Sequence, residues 1–365
     1  MDNPAAEREP EHAQQPRTFH HSAYPPQRIA AARGLTGAGP HAKPALDKRD
    51  QGAAASSIAG SPSVAGSHGA VGSPSVAVCL PARNCAATVG RVVGALAELR
   101  EAGVLDELVV IDAGSSDGTA SVAVQAGATV YQEAELLPQF GPVLGKGDAM
   151  WRGLSVLDSD IVCFLDADTE HFPAHFAAGL IGPLVCDPGV QFVKGFYRRP
   201  FEHDGIRLPD GGGRVNHLMA RPALARFYPQ LSGIRQPLAG EVGARRELLE
   251  RLPFATGYGV ETAMLIDVWR AVGLEAMAQV DLDVHHNPHQ SLAALSGMAF
   301  TVLDTITRRL ERDGRLQRDG RLHGDGRLQP AAGDGGSAAL EGAAIVTAHP
   351  PQAVERPPLA SVRGA

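Results

Sequence analysis

The sequence predicts an α/β fold with a Rossmann-like, doubly wound sheet, and three observations predict it. Short apolar runs recur at Val76–Leu80, Leu108–Ile111 and Ile161–Leu165. Segments with helical spacing of apolar residues lie between them. The second run ends in Asp112, and the third in Asp166 and Asp168. Strands covered on both faces are apolar throughout. Alternation of such strands with helices builds a parallel sheet, and open sheets of this kind bind ligands at the carboxyl ends of their strands.

Composition sets bounds. The chain has 365 residues, enough for one large α/β domain or two smaller ones, and at 44% hydrophobic it can build a sizeable core. A net charge of −7 argues against a general nucleic-acid partner. Cys79, Cys85, Cys163 and Cys186 match neither a zinc spacing nor a disulfide framework, which suits a reducing cytoplasm. No apolar run reaches the roughly 18 residues of a membrane span. No basic start followed by an apolar stretch reads as a signal peptide.

Taken in order, residues 1–73 are rich in Ala, Pro, Gly, Ser and His and lack apolar periodicity. They predict a disordered extension, with the fold beginning near Pro74. The strand Val76–Leu80 leads through the loop Pro81–Asn84 to a helix over Thr88–Ala102. The strand Leu108–Ile111, the turn Asp112–Gly118, a helix over Thr119–Gln125 and a strand Thr129–Tyr131 complete a βαβαβ half. Asp112 can bond a ribose or base, or only stabilise its turn.

Gly145-Lys146-Gly147 opens the next helix. A lysine between glycines can approach phosphate closely, or lie on a plain surface loop. The spacing is not that of a Walker A motif. After the strand Ile161–Leu165, Asp166-Ala167-Asp168 places two carboxylates two positions apart. Two readings fit: a site for a divalent cation carrying a diphosphate, or a polar turn capping the next helix.

A helix is expected at Pro173–Leu180 and a strand with a basic end at Val190–Arg199. Gly211-Gly212-Gly213-Arg214-Val215-Asn216 then opens a helix over Val215–Phe227, and its free N–H groups and Arg214 favour an anion. Helices follow at Arg245–Leu252 and Thr262–Val272. Glu261 stands at the start of the latter, where the helix dipole alone also accounts for an acid. The strand Ala276–Val284 ends in His285-His286-Asn287-Pro288-His289, a cluster that suits metal or phosphate contact and also occurs on surfaces without function. Ser291–Leu310 is the last long helix. Residues 311–335 repeat Arg-Asp-Gly-Arg-Leu and read as a low-complexity linker, and 336–365 as a tail with a candidate strand at Ala344–Thr347.

The Pro81-Ala82-x-Asn84 loop, Val110-Ile111-Asp112-Ala113-Gly114-Ser115-Ser116-Asp117-Gly118-Thr119 and Phe164-Leu165-Asp166-Ala167-Asp168 together resemble the nucleotide-sugar domain of GT-A glycosyltransferases. Further stretches narrow this. Gly145–Arg152, Val193–Pro200, Gly213–Val215, Gln236–Glu241, Phe254–Glu261 and Ala278–Leu282 resemble, in consistent order over about Pro74–Leu310, the retaining glucosyl-3-phosphoglycerate synthase family. The resemblance implies a GT-A fold over 74–310, with a nucleotide-sugar half (74–168) and an acceptor half (169–310). It implies UDP-glucose as donor, 3-phosphoglycerate as acceptor, Mg2+ (or Mn2+) as cofactor, and a homodimer.

Carried onto this sequence, the resemblance implies that Pro81, Ala82, Asp112 and Ser115 line the uridine pocket and that Lys146 contacts the nucleotide. Asp166, Ala167 and Asp168 face the diphosphate, with Asp166, Asp168 and a histidine, taken as His286 with His289 as rival, holding the metal. Gly213, Arg214, Val215 and Asn216 hold the acceptor, while Tyr258, Gly259 and Glu261 lie near the transferred glucose, Glu261 in the catalytic role. The sequence departs from the family pattern at Cys85 and Ala86, at Asn216 and in the histidine run. A related GT-A transferase is the alternative, acting on glycerate, a lipid or a glycan, or using GDP-mannose.

Overall fold

The computed structural model describes residues 15–35, 72–203, 206–286, 290–316 and 354–363. The first half runs β1 (Arg17–His20), α1 (Pro26–Ala32), β2 (Val76–Ala82), α2 (Val89–Glu101), β3 (Glu107–Asp112), α3 (Thr119–Gln125) and β4 (Thr129–Gln132). The centre comprises α4 (Lys146–Leu154), β5 (Ile161–Phe164), α5 (His175–Cys186), β6 (Phe192–Arg198) and a hairpin of β7 (Phe201–His203) and β8 (Ile206–Leu208). A π-helical turn, Asn216–Ala220, runs into α6 (Arg221–Phe227), followed by β9 (Val242–Arg245), α7 (Arg246–Glu250) and β10 (Phe254–Ala255). The chain continues through α8 (Val260–Val272), β11 (Met277–Val284), α9 (Leu292–Arg312), β12 (Glu355–Arg356) and α10 (Leu359–Arg363).

The described residues form an eight-stranded sheet in the order β1-β11-β6-β9-β5-β2-β3-β4. All neighbours are parallel except β9, which runs antiparallel to both β5 and β6. The period-2 alternation of strand side chains builds two cores. Val76, Val78 and Leu80 face one core, shared with α1, α2 and α5; Ala77 and Cys79 face the other, shared with α4, α6, α8 and α9. In α2 the buried residues Val89, Val92, Val93, Leu96 and Leu99 form the stripe expected of a helix packed on a sheet. Each such aliphatic side chain contributes about 1.5–3 kcal/mol on burial.

Three expectations are corrected. Residues 15–35 belong to the fold: β1 pairs with β11 from Arg17↔Ala278 to His20↔Asp281, and Ile29 of α1 is fully buried. A four-residue edge strand carries too few residues to leave a periodic signal, and its partner lies far along the chain. The tail also returns, with β12 pairing to β10 and the Trp151 indole donating to Pro357 O at 2.8 Å. Finally, β9 is a strand not expected from the sequence; the helix expected over Arg245–Leu252 forms one residue later, as α7. The candidate strand Ala344–Thr347 and most of the 311–335 linker lie outside the described residues. Among the described residues no helix is long and apolar enough to cross a membrane, and all four cysteines are free.

Candidate active site

The site is assembled at the carboxyl ends of β2, β3 and β5. Pro81 and Ala82 finish β2. Asp112 finishes β3, is 2% exposed, and accepts from Ser115 N at 3.3 Å on each carboxylate oxygen. Ser115 Oγ in turn accepts from Asn84 N at 2.9 Å, and Asn84 Oδ1 accepts from Ser116 N at 3.0 Å. The loops after β2 and β3 are thus laced together. Asp117 serves that lacing as well, accepting from Ala86 N at 2.9 Å and from Thr119 Oγ1 at 2.6 Å.

Lys146, at the first turn of α4, lies between two carboxylates. Its Nζ is 2.5 Å from Asp166 Oδ1 and 2.9 Å from Glu261 Oε1. Burial opposes the lysine's charge, but Asp166 and Glu261 outweigh it and hold the ammonium well above its ordinary pKa. Two glycines let backbone approach this group. A Cβ on Gly147 would meet Ala255 O at 1.9 Å, so α4 seats against β10 only with glycine there. A Cβ on Gly240 would lie 2.4 Å from Asp166 Oδ2 and 2.6 Å from Lys146 Nζ.

Asp168 is a different case. Burial and the charge of Asp166 hold its carboxyl above the usual range, with Lys146 and His285 acting the other way. Behind it stands a group the sequence reading missed. Buried His285 Nε2 lies 3.3 Å from Glu241 Oε1 and 3.4 Å from Thr169 Oγ1, and its ring stacks on Tyr197 at 4.5 Å between centroids. Burial alone would push Glu241 up, yet the hydrogen bond and charge of His285 bring it down to about 2. Buried Lys194 donates to Ala239 O at 2.5 Å, and burial lowers its pKa to about 8.

The two adjacent histidines are placed differently. His286 is exposed, with its ring beside His171, and it does not line the cavity; His285 is the buried one whose charge reaches Asp168. The cause is a bulge in β11 between Asp281 and Val284, which adds one residue and inverts the alternation that follows. His289 lies outside the described residues.

A cavity of about 490 Å³ joins some of these groups, while Asp112, Ser115, Glu241 and His285 are not in its lining. Pro81, Ala82, Lys146, Asp166, Ala167, Asp168, Tyr258 and Glu261 line it, together with the unforeseen Glu133, Tyr197, Arg199 and Gly240. Tyr258 is 55% exposed on a 3-10 turn, Gly257–Gly259, and Gly259 beneath it is buried. Tyr197 and Arg199 also line an adjoining cavity of about 450 Å³ with Arg198, Gly212, His217, Arg221 and Arg235. None of the four candidate acceptor residues lines either cavity, although the flanking Gly212 and His217 line this second one. Gly213 takes φ 67°, Arg214 Nη2 donates to Gln290 O at 2.9 Å, and Val215 is buried. Asn216 is also buried, its Nδ2 donating to Arg235 O at 3.3 Å while Oδ1 has no partner.

The donor types suit a divalent cation: Asp166 and Asp168 lie two residues apart, and buried His285 Nδ1 has no partner. Their ligand atoms do not converge within 4.8 Å as they stand, and Asp166 is paired with Lys146.

Comparison with known proteins agrees with this layout. Residues 77–232 match the family described as glycosyl transferase family 2. The glucosyl-3-phosphoglycerate synthase of Petrotoga mobilis is 43% identical over 242 residues, 66% of this chain and 74% of that protein. That of Mycolicibacterium smegmatis is 44% identical over 234 residues, 64% of this chain and 77% of that protein. Among solved structures, mannosyl-3-phosphoglycerate synthase from Rubrobacter xylanophilus superposes with a TM-score of 0.71 at 37% identity, covering 95% of this chain and 96% of that one. Glucosyl-3-phosphoglycerate synthase from Mycobacterium tuberculosis, in complex with Mn2+, UDP-glucose and phosphoglyceric acid, gives 0.64 at 39% identity, covering 80% and 92%.

Proposed function

Because the chain belongs to the glucosyl-3-phosphoglycerate synthase family of glycosyltransferases, we propose that it transfers glucose from UDP-glucose to 3-phospho-D-glycerate, with retention and with a divalent metal, Mg2+ or Mn2+. The observation that carries the reading is the cavity itself. It gathers two aspartates after β5, a lysine at the start of α4 and a glutamate at the start of α8, and it adjoins an arginine-rich neighbour.

Donor binding falls to Pro81, Ala82, Asp112 and Ser115 around the uridine, with Lys146, Ala167, Tyr258 and Gly259 along the diphosphate and sugar. Asp166 and Asp168 would hold the metal, and we assign the imidazole near them to His285 rather than His286, since its Nδ1 is buried and unpartnered. When bound, the cation supplies Lewis-acid stabilisation of charge on the departing diphosphate. Lys146 adds a second positive charge at that oxygen cluster, in a half-buried site where such charge acts strongly. The acceptor is small and highly anionic. Gly213, Arg214, Val215 and Asn216 form one side of its site, and Arg199 carries positive charge across the wall shared by the two cavities.

No side chain in the cavity is an evident covalent nucleophile in our reading. The acceptor hydroxyl therefore attacks from the face that the diphosphate leaves, and Glu261 orients the sugar or that hydroxyl. The protein acts as a cytoplasmic homodimer in this reading.

The test is UDP release from UDP-glucose with Mg2+ or Mn2+, with and without 3-phosphoglycerate. Release that needs the acceptor, and that EDTA or Asp168→Ala abolishes, is expected. UDP-glucose binding without acceptor-stimulated release would overturn the acceptor assignment. The likeness to the Rubrobacter mannosyl-3-phosphoglycerate synthase favours a second reading, transfer of mannose from GDP-mannose. A side-by-side donor comparison separates the two.

A further inference from the structure

At the edge of the sheet, three side chains that line neither cavity converge on one point. His21 Nε2 lies 2.7 Å from Asp283 Oδ2, and His20 Nε2 lies 3.3 Å from Asp283 Oδ1. The three ligand atoms all fall within 4.8 Å of one another. A tetrahedral zinc with ligands about 2.1 Å out spaces its donor atoms about 3.4 Å apart, so the groups need only small adjustments to share a cation.

Each group is oriented by a neighbour that is not itself a donor. His20 Nδ1 is 2.8 Å from Ser22 Oγ, which leaves Nε2 facing the carboxylate. The ring of His21 stacks at 3.9 Å on His175, which is fixed through its own Nε2 at 3.2 Å from Leu282 O. Such outer partners set the tautomer and ring plane of metal-bound histidines. Gly179 of α5 permits the approach, since a Cβ there would meet His21 Cβ at 3.2 Å and Leu282 Cδ2 at 2.8 Å.

The backbone adds an independent observation. Asp283 holds φ 68°, one of three non-glycine residues with positive φ among those described, and it sits in the β11 bulge. Bulges re-aim side chains, and strained backbone persists where the surroundings fix it.

We propose that His20, His21 and Asp283 form a structural site for a divalent transition metal such as zinc, with water as the remaining ligand. The site clamps the N-terminal segment to the bulge of β11, two residues before His285. It is separate from the carboxylates of the cavity, and softer in ligand type: two imidazoles and one carboxylate suit zinc better than magnesium.

The experiment counts zinc on the full chain carrying Asp168→Ala, which breaks the cavity carboxylate pair. Metal is stripped with a chelator, and Zn2+ is titrated against a chromophoric chelator. One zinc per chain and a rise in melting temperature are expected. Asp283→Gly is the decisive second change, because glycine adopts the positive φ without strain and the fold is retained. It should weaken zinc binding at least tenfold and remove the zinc-dependent rise in melting temperature, as should His20→Ala with His21→Ala. Zinc stoichiometry and affinity unchanged by Asp283→Gly, with a native circular dichroism spectrum, would overturn the proposal. So would the absence of zinc binding to the Asp168→Ala chain.

Discussion

Two clusters of charge lie two residues apart on α4 and behave oppositely. Lys146 opens into the cavity, where its side chain is 22% exposed and its two carboxylate partners also line the wall. Asp148 faces the other way and is sealed. Arg356 donates to it twice at 2.7 Å, Arg152 Nε donates at 3.2 Å, and Leu144 N donates at 2.9 Å. The arginines spend their remaining donors on the carbonyls of Gly141 at 2.8 Å and Phe140 at 2.5 Å. What separates the two clusters is access, not the amount of charge: Lys146 and its partners line a cavity, and Asp148 is sealed.

The contrast yields graded predictions. Asp168→Ala should cost several kcal/mol of transition-state stabilisation, on the order of 10⁴ in kcat, with the melting temperature little changed. Arg356→Ala should do the reverse. It leaves buried Asp148 short of a partner and should lower unfolding free energy by about 3–5 kcal/mol in a denaturant titration, while kcat falls far less at temperatures where the protein stays folded. Equal loss of activity in both variants would dissolve the distinction. Lys146→Ala should reduce kcat/KM by about 10²–10³, the scale for loss of one charge-stabilising donor. It should also lower stability, since buried Glu261 loses its cation, but by less than Arg356→Ala, because Asp166 is part-exposed.

The smallest effect joins the two regions. Glu133 lines the cavity, and both its carboxylate oxygens are buried without a partner among the described residues. Burial, and then the charge of Asp148, raise its pKa from 4.5 to about 7. A raised folded-state value means that its contribution is fully present below 4.5 and is lost as pH climbs through 7. Glu133→Gln should therefore match the parent's melting temperature near pH 4 and exceed it by pH 8. Melting curves across that range check the sign.

Much of the donor side was legible because its signals are local. The runs ending at Leu80, Ile111 and Leu165 carry their own periodicity, and the aspartates follow directly in sequence. The parts that were not legible depend on distant partners. Strand β9 reads as Val242-Gly243-Ala244-Arg245, with little β-preference, because tight packing demands small residues: a Cβ on Gly243 would meet Cys163 Sγ at 2.9 Å. Being antiparallel, β9 begins at the edge where β5 and β6 end, and so it delivers Gly240 and Glu241 to the site. Arg356 finds Asp148 across most of the chain. That His285 rather than His286 is buried follows from a single inserted residue in β11, which no count of alternating positions reveals.

The position of β1 has a practical consequence. Strand β11 sits next to the end of the sheet, and β1 occupies its outer hydrogen-bonding edge over four residue pairs. A chain shortened to start at Pro74, where the apolar pattern begins, would keep every residue of the cavity yet bare that edge. Its unpaired N–H and C=O groups would then offer a template to a second chain. The expected failure of such a protein is self-association at working concentration rather than loss of catalytic groups, with light scattering rising well before activity per folded molecule changes.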